Sequence, residues 1–289
     1  MTNKLFLCSD LDRTLLPNGW QDESPKARKL LHVLARHPEI TLAYVSGRNQ
    51  RLLLEAITAY QIPVPDYAVG DVGTTIYHIT DNKWVPSKEW EDKIALDWKG
   101  HRHDQIAELF KDISEIKLQE PDNQNTFKVS YYAPADLKYQ RLIDAMEDRL
   151  RTKGVNASLI WSVDEGAKQG LIDVLPENAT KYHAIRFLMQ HNYFSETSTV
   201  FAGDSGNDLP VLTSGLQAVL VRNAAEDVRR EARQKLAFKG QGSKLYCAKG
   251  GFLNMNGNYA AGVIEGLIHF VPEVTSWLRQ DLILDPESL

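Results

Sequence analysis

The sequence predicts an α/β protein: a parallel-sheet core interrupted by a smaller inserted α+β domain. Apolar strand-like runs alternate with helical patterns to about residue 79, the pattern of parallel strands joined by crossovers. Beyond residue 81 that alternation gives way to tryptophan-containing and charged stretches and a second set of strands. Two of the core strands, Leu5–Cys8 and Val200–Ala202, also run into loops that carry aspartates.

In chain order, Leu5–Cys8 is a short buried strand, followed by a loop at Pro17–Gly19. Ser24-Pro25 is a start signal for a helix over residues 26–36, with Leu30, Leu31 and Leu34 on one face. Leu42–Val45 is a strand leading through Ser46, Gly47 and Arg48 into a helix carrying Leu52, Leu53, Ala56 and Ile57. Short strands are expected at 66–70 and 75–79. A helix is expected near 103–111, a strand at Thr126–Tyr132, an amphipathic helix at 136–152, and strands at Ser158–Val163 and Gly170–Leu175. Thr180 or Asn178 caps a helix with Ala184, Ile185 and Leu188 on its buried face. Val200–Ala202 is a strand, and Ala260–Ile268 a helix that completes the core; Leu282–Leu289 is expected to fray.

The 289 residues exceed a usual single core, and 43% hydrophobic residues suffice to fill more than one. The net charge of −5 gives no electrostatic support for nucleic-acid or membrane-surface binding. Two cysteines, Cys8 and Cys247, are too few for a disulfide framework. With no signal-like or bilayer-length apolar segment, a cytoplasmic protein is the expectation.

Four segments carry chemistry. Asp10 and Asp12 follow the first strand at i and i+2, a spacing that puts both carboxylates on one face of an extended chain. One can act as nucleophile while the other moves protons; a turn with two acidic residues fits the pair alone equally well. Ser46 and Gly47 offer a hydroxyl and a backbone N–H at a helix start, where anions are favoured, and an ordinary strand-to-helix turn has the same look. Gly203-Asp204-Ser205-Gly206-Asn207-Asp208 crowds two carboxylates and an amide after a buried strand. Hard oxygen ligands on a tight loop suit magnesium. Lys181 sits in the first turn of its helix, where it can face the strand ends.

In that order, Asp10-Leu11-Asp12-Arg13-Thr14, Ser46-Gly47-Arg48, Lys181 and Gly203–Asp208 resemble the haloacid dehalogenase superfamily of aspartate-nucleophile phosphohydrolases. Asp71–Tyr77, Lys128-Val129-Ser130-Tyr131-Tyr132 and Asp173-Val174-Leu175-Pro176 are similar to its sucrose-phosphate phosphatase branch. Arg13 departs from the pattern, standing where relatives often carry asparagine or glycine, as does Thr75, which is acidic in some relatives.

The resemblance implies a Rossmann-like core over residues 1–80 and 177–289 with a type-two cap over 81–176, hinged near Ile79–Lys83 and Leu175–Asn178. It implies a nucleophile at Asp10, an acid/base at Asp12, and phosphate binding by Ser46, Gly47 and Lys181. Magnesium would be held by Asp10, the Asp12 carbonyl and Asp204, with Asn207 and Asp208 behind them. Substrate contacts fall to Arg48, Thr74, Thr75, Lys128, Ser130 and Tyr132. The last three alternate along one strand and offer charge, hydroxyl and ring. The implied reaction is hydrolysis of a sugar phosphate, sucrose 6-phosphate first and mannosylfructose phosphate or a broader range next. A phosphosugar mutase and a non-catalytic sensor are the remaining alternatives, and docking to a sugar-phosphate synthase is a further expectation. Trp84, Trp90, Trp98 and Trp161 are expected in the cap core, with Trp90 or Trp98 able to line a sugar pocket; His101 and His103 fit a solvated helix start.

Overall fold

A computed structural model describes residues 4–164 and 167–278; the frayed end expected at Leu282–Leu289 lies outside them. The elements in order are β1 (Leu5–Ser9), α1 (Ala27–Arg36), β2 (Ile40–Val45), α2 (Gln50–Tyr60), β3 (Tyr67–Gly70), β4 (Thr75–Thr80), β5 (Lys83–Pro86) and α3 (Lys88–Ala95). Next come α4 (His103–Glu108), β6 (Lys117–Leu118), β7 (Val129–Pro134), α5 (Tyr139–Thr152), β8 (Ala157–Asp164) and β9 (Gln169–Pro176). The chain closes with α6 (Lys181–His191), β10 (Thr199–Gly203), α7 (Leu209–Leu212), β11 (Gln217–Leu220), α8 (Glu226–Phe238), β12 (Leu245–Cys247) and α9 (Ala260–Phe270).

An eight-stranded sheet runs in the order β12-β11-β10-β1-β2-β3-β4-β5. Its pairs from β12 to β3 are parallel, and β4 and β5 are added antiparallel at one edge. β1 is buried along all five residues, as expected for a central strand covered on both faces. From β1 the chain builds outward to β2 and β3, then returns to lay β10 on the other flank. The crevice beyond the carboxyl ends of β1 and β10 is therefore a topological switch point, where open α/β sheets bind ligands. The register sets Ser9 beside Ala202 and beside Tyr44, so Asp10, Gly203 and Val45 end their strands at one level. Three of the four sequence segments thus meet at one edge of the sheet.

The insert is a four-stranded antiparallel sheet, β6-β7-β9-β8. Val129, Tyr131, Ala133, Ile172 and Val174 pack with Ile106 of α4 and Ile143, Met146 and Leu150 of α5 in a cluster of its own. Alternate residues of the same strands, including Ser130, Tyr132 and Asp173, take the opposite face.

The structure differs from the sequence reading at the first junction. β5 extends the large sheet, and Trp90 and Ile94 belong to the apolar cluster built on β1, while the second cluster begins at Trp98. The first core thus continues beyond residue 81. Lys83-Trp84-Val85-Pro86 is too short and too mixed to be recognised as an edge strand without its partner β4. Two tryptophans change place accordingly: Trp84 packs on the large cluster beside Tyr77, and Trp90 lies fully buried within it. The Trp90 indole donates to the Gly73 carbonyl at 3.1 Å. Trp98 and Trp161 do pack in the insert. Among the described residues no helix is long and apolar enough to cross a membrane.

Candidate active site

Asp10 leaves β1 with its N–H donated to the Ala202 carbonyl at 2.9 Å, which locks the two strand ends together. Lys181 comes from the first turn of α6, whose cap is Thr180: its hydroxyl oxygen accepts the His183 N–H at 3.2 Å. The lysine is buried, and its ammonium donates to Asp10 Oδ1 at 2.7 Å and Asp208 Oδ1 at 2.8 Å, with Asn207 Oδ1 at 3.4 Å. Asp208 is held from its other oxygen, which accepts the N–H groups of Asp204 at 3.1 Å and Ser205 at 3.3 Å. This folded-back loop requires glycine at 203, since a Cβ there would stand 2.7 Å from the Asp208 carboxyl carbon.

Asp10, Asp204 and Asp208 each place an oxygen within 4.8 Å of the others. The Thr14 hydroxyl is 3.2 Å from both Asp10 Oδ2 and Asp204 Oδ1, and its single proton serves one carboxylate at a time. Burial drives the Asp10 carboxyl up to about 7; Lys181 opposes the rise and Asp208 adds to it. Burial likewise raises Asp204 to about 6, with Asp208 reinforcing it. Burial alone would lower the Lys181 ammonium, but Asp10 and Asp208 outweigh it and hold its pKa above the ordinary lysine range.

Three buried carboxylates around one buried ammonium form an unbalanced site. Asp10 and Asp204 keep oxygens free of backbone donors, whereas both oxygens of Asp208 are engaged by the lysine and the loop. The donor set is all oxygen and suits a hard divalent cation. The residues present therefore fit magnesium.

Asp12 takes a different role. Its side chain turns away from the carboxylate cluster to a fork from Arg48, Nε to Oδ2 at 2.9 Å and Nη2 to Oδ1 at 2.6 Å, and Asn18 donates to Oδ1 at 2.7 Å. Burial works to raise its pKa, but the Arg48 hydrogen bonds and charge prevail and hold it below the ordinary carboxylate range. Arg48, expected to touch substrate, is occupied by Asp12. Ser46 is buried at the end of β2, where its Oγ accepts the Arg48 N–H at 3.2 Å. Asn18 carried no sequence signal; it lies in an irregular loop with nothing periodic to mark it.

A cleft of about 870 Å³ separates this centre from the polar face of the insert. Gly47, Asn49, Lys181 and Asn207 line it from the core; Lys128, Tyr132, Ser158, Ser162, Asp164 and Asp173 line it from the insert. Ser130 is buried and donates to Asp173, while Tyr132 donates to Glu120 at 2.7 Å. Lys128 reaches across the seam to within 3.8 Å of Asp71 Oδ1. Thr74 and Thr75 are not brought to the cleft. They brace the Asp71 turn, Thr74 Oγ1 donating to the Asp71 carbonyl at 3.0 Å and Thr75 Oγ1 to Asp71 Oδ2 at 3.3 Å, and they border a separate hollow of about 290 Å³. Neither Trp90 nor Trp98 lines the cleft. Ser158, Ser162 and Asp173 were not singled out as contacts from sequence, although the strand periodicity places the two serines on one face. His101 and His103 bond the Trp98 carbonyl and the Gln124 amide oxygen at the start of α4.

The family model described as sucrose-6F-phosphate phosphohydrolase matches residues 3–271. A HAD-like hydrolase of Nitrosococcus oceani is 56% identical over 279 residues, covering 96% of this chain and 75% of its own. The mannosylfructose-phosphate phosphatase of Agrobacterium fabrum is 27% identical over 270 residues, covering 92% and 96%. Among solved structures, the sucrose-phosphatase from Synechocystis sp. PCC6803, in complex with sucrose and phosphate, superposes with a TM-score of 0.70 at 26% identity, covering 93% of this chain and 98% of its own.

Proposed function

This chain belongs to the sucrose-6F-phosphate phosphohydrolase family, and from that premise we propose that it is a magnesium-dependent phosphatase of sucrose 6-phosphate, acting through an aspartyl-phosphate. The observation that carries the reaction is the Asp10–Lys181–Asp208 arrangement beside Asp204. Lys181 opposes the protonation of Asp10 that its burial favours and points the same ammonium at the site where phosphoryl oxygens gather charge. Such preorganised electrostatics is usually the largest catalytic contribution. Asp10, the Asp12 carbonyl and Asp204 would hold magnesium, which would supply further positive charge there.

Asp10 attacks phosphorus in line, and the P–O bond to the sugar breaks. Asp12, once it has taken up a proton from solvent, gives it to the departing sugar oxygen, then takes one from the water that cleaves the acyl phosphate. For the first transfer it must turn from Arg48, because the guanidinium fork favours the ionised carboxylate. Arg48 is thus a positioning residue for Asp12.

Substrate class is supported by the cleft. About 870 Å³ lies within the range of small-molecule sites and leaves room for two sugar rings, and hydroxyl, amide and carboxylate side chains face it from the insert. The family match and the structural neighbour solved with sucrose and phosphate favour sucrose 6-phosphate. The mannosylfructose-phosphate phosphatase relative supports a second disaccharide phosphate as the next reading.

The test is phosphate release in magnesium from sucrose 6-phosphate, mannosylfructose 6-phosphate, trehalose 6-phosphate, glucose 6-phosphate and fructose 6-phosphate. A kcat/KM for sucrose 6-phosphate about a hundredfold above the others, near 3 kcal/mol of discrimination, is expected. Equal rates on all five would leave the chemistry standing and discard the substrate.

A further inference from the structure

Arg13 stands between the two catalytic aspartates and Thr14 in a conformation that does not suit it. Its φ is 59°, in the left-handed region where glycine and asparagine are tolerated best. Two hydrogen bonds fix the turn: the Arg13 N–H donates to Asn18 Oδ1 at 2.7 Å, and its carbonyl accepts from Asn223 Nδ2 at 2.6 Å. The backbone alone therefore gives no reason for arginine here, and the reason is to be sought in the side chain. That side chain comes in from solvent, 46% exposed, and brings Nε to 3.6 Å from Asp204 Oδ2, on a carboxylate only 4% exposed. The other Asp204 oxygen faces Thr14. The contact is a single long ion pair, unlike the short fork of Arg48 on Asp12.

We propose that Arg13 is a resident cation of the metal site, a guanidinium that occupies Asp204 and that a divalent ion must displace in order to bind. This inference rests on the magnesium-dependent reading above. A dication on Asp10 and Asp204 and the guanidinium at its present distance repel each other, so each binds at the other's expense. Arg13 then sets the magnesium concentration at which the enzyme loads. While the ion is absent, it also neutralises part of the carboxylate cluster that Lys181 alone leaves unbalanced.

The experiment is calorimetric titration of the whole protein with magnesium, and with manganese followed by electron paramagnetic resonance, both without substrate. Arg13→Gln keeps a non-glycine side chain at the same φ and removes the charge; Arg13→Lys keeps the charge. The dissociation constant is expected to fall about three- to tenfold in Arg13→Gln and to stay near wild type in Arg13→Lys, with the gap closing as salt rises toward about 1 M. Arg13→Asn, which also relieves the turn, should melt higher yet bind metal like Arg13→Gln. Unchanged or weaker binding in Arg13→Gln, or an Arg13→Lys protein that follows Arg13→Gln, overturns the inference and leaves the phosphatase reading intact. Wild-type protein that binds neither ion overturns the magnesium reading and this inference together.

Discussion

The two walls of the cleft are built on opposite principles. On the core wall Asp10, Lys181, Asp204 and Asp208 are buried and tied: Asp10 and Asp208 to Lys181, Asp204 to Thr14 and, from the solvent side, to Arg13. On the insert wall Lys128 is buried, but Tyr132, Ser158 and Asp173 are half-buried, and Ser162 and Asp164 stand open to the cleft. A tied, low-dielectric centre strengthens charge interactions and holds reacting groups in place whatever the leaving group is. An open polar face can be rewritten one side chain at a time without disturbing that centre. Chemistry and substrate choice are therefore separable in this molecule, and mutations on the two walls should fail in different ways.

The largest effect is expected from Asp10→Asn. It keeps the shape of the core wall but removes the proposed nucleophile, so turnover should fall by about 10³-fold or more on every substrate. Steady-state assays with sucrose 6-phosphate and with a small aryl phosphate check this, and near-normal activity on either would falsify the nucleophile assignment. Lys181→Met comes next and tests the tied character of the wall. With the ammonium gone, two buried carboxylates face each other, and breaking a buried pair in this way costs about 3–5 kcal/mol. Urea unfolding of the cation-free protein should show that loss, and added magnesium should recover part of it. A variant as stable as wild type would mean that the triad contributes little to folding.

The same contrast decides what the sequence disclosed. The core wall was legible because its residues lie at strand ends or in a helix's first turn: Asp10 just beyond the apolar run Leu5–Cys8, Gly203–Asp208 after Val200–Ala202, Lys181 next to a capping threonine. Local order along the chain is enough to recognise them, and the sheet register then brings them together. The insert wall draws on three strands and a loop, so its membership depends on pairing that no local pattern encodes. Ser162 meets Leu171 and Ser130 meets Asp173 only through register. Thr74 and Thr75 show the reverse error. They are near Gly73 in sequence, but the left-handed turn at Asp71 and Val72 directs them into bracing that turn instead of the cleft. The Arg48–Asp12 fork was likewise not legible, since it joins residues 36 positions apart.

On the insert wall, Asp173→Asn should sharpen the comparison. The carboxylate accepts the Ser130 hydroxyl and lines the cleft with its remaining capacity, so it is placed to accept sugar hydroxyls. Losing a charged acceptor of a sugar hydroxyl is worth about 1.5–3 kcal/mol, or about ten- to a hundredfold in kcat/KM for a disaccharide phosphate. A small aryl phosphate, which leaves that wall untouched, should be hydrolysed at the wild-type rate. Equal losses on both substrates would show that the walls are coupled after all.

The smallest effect concerns protons at the core wall. With Asp10 raised to about 7 and Asp204 to about 6, the folded, cation-free protein holds protons that the unfolded chain releases near its ordinary carboxylate pKa. By linkage, the stability that these two groups contribute falls as pH climbs from about 4 through 7, because the unfolded state binds fewer protons in that window. A divalent cation needs the ionised carboxylates, so it must expel those protons below pH 7 and finds them already gone above it. Magnesium affinity should therefore rise about twenty- to a hundredfold between pH 5.5 and 7.5, as Asp10 alone or both carboxylates must ionise, and level off by about pH 8. The melting temperature gained on adding a fixed magnesium concentration should widen over the same range. Calorimetric titration at four pH values, with Asp173→Asn as a control from the other wall, reads both. The control should trace the wild-type curve, since its carboxylate takes no part in holding the ion. A magnesium affinity independent of pH would mean that the cluster is ionised without the cation, and that the crowding of Asp10, Asp204 and Asp208 is relieved by the protein's own cations alone.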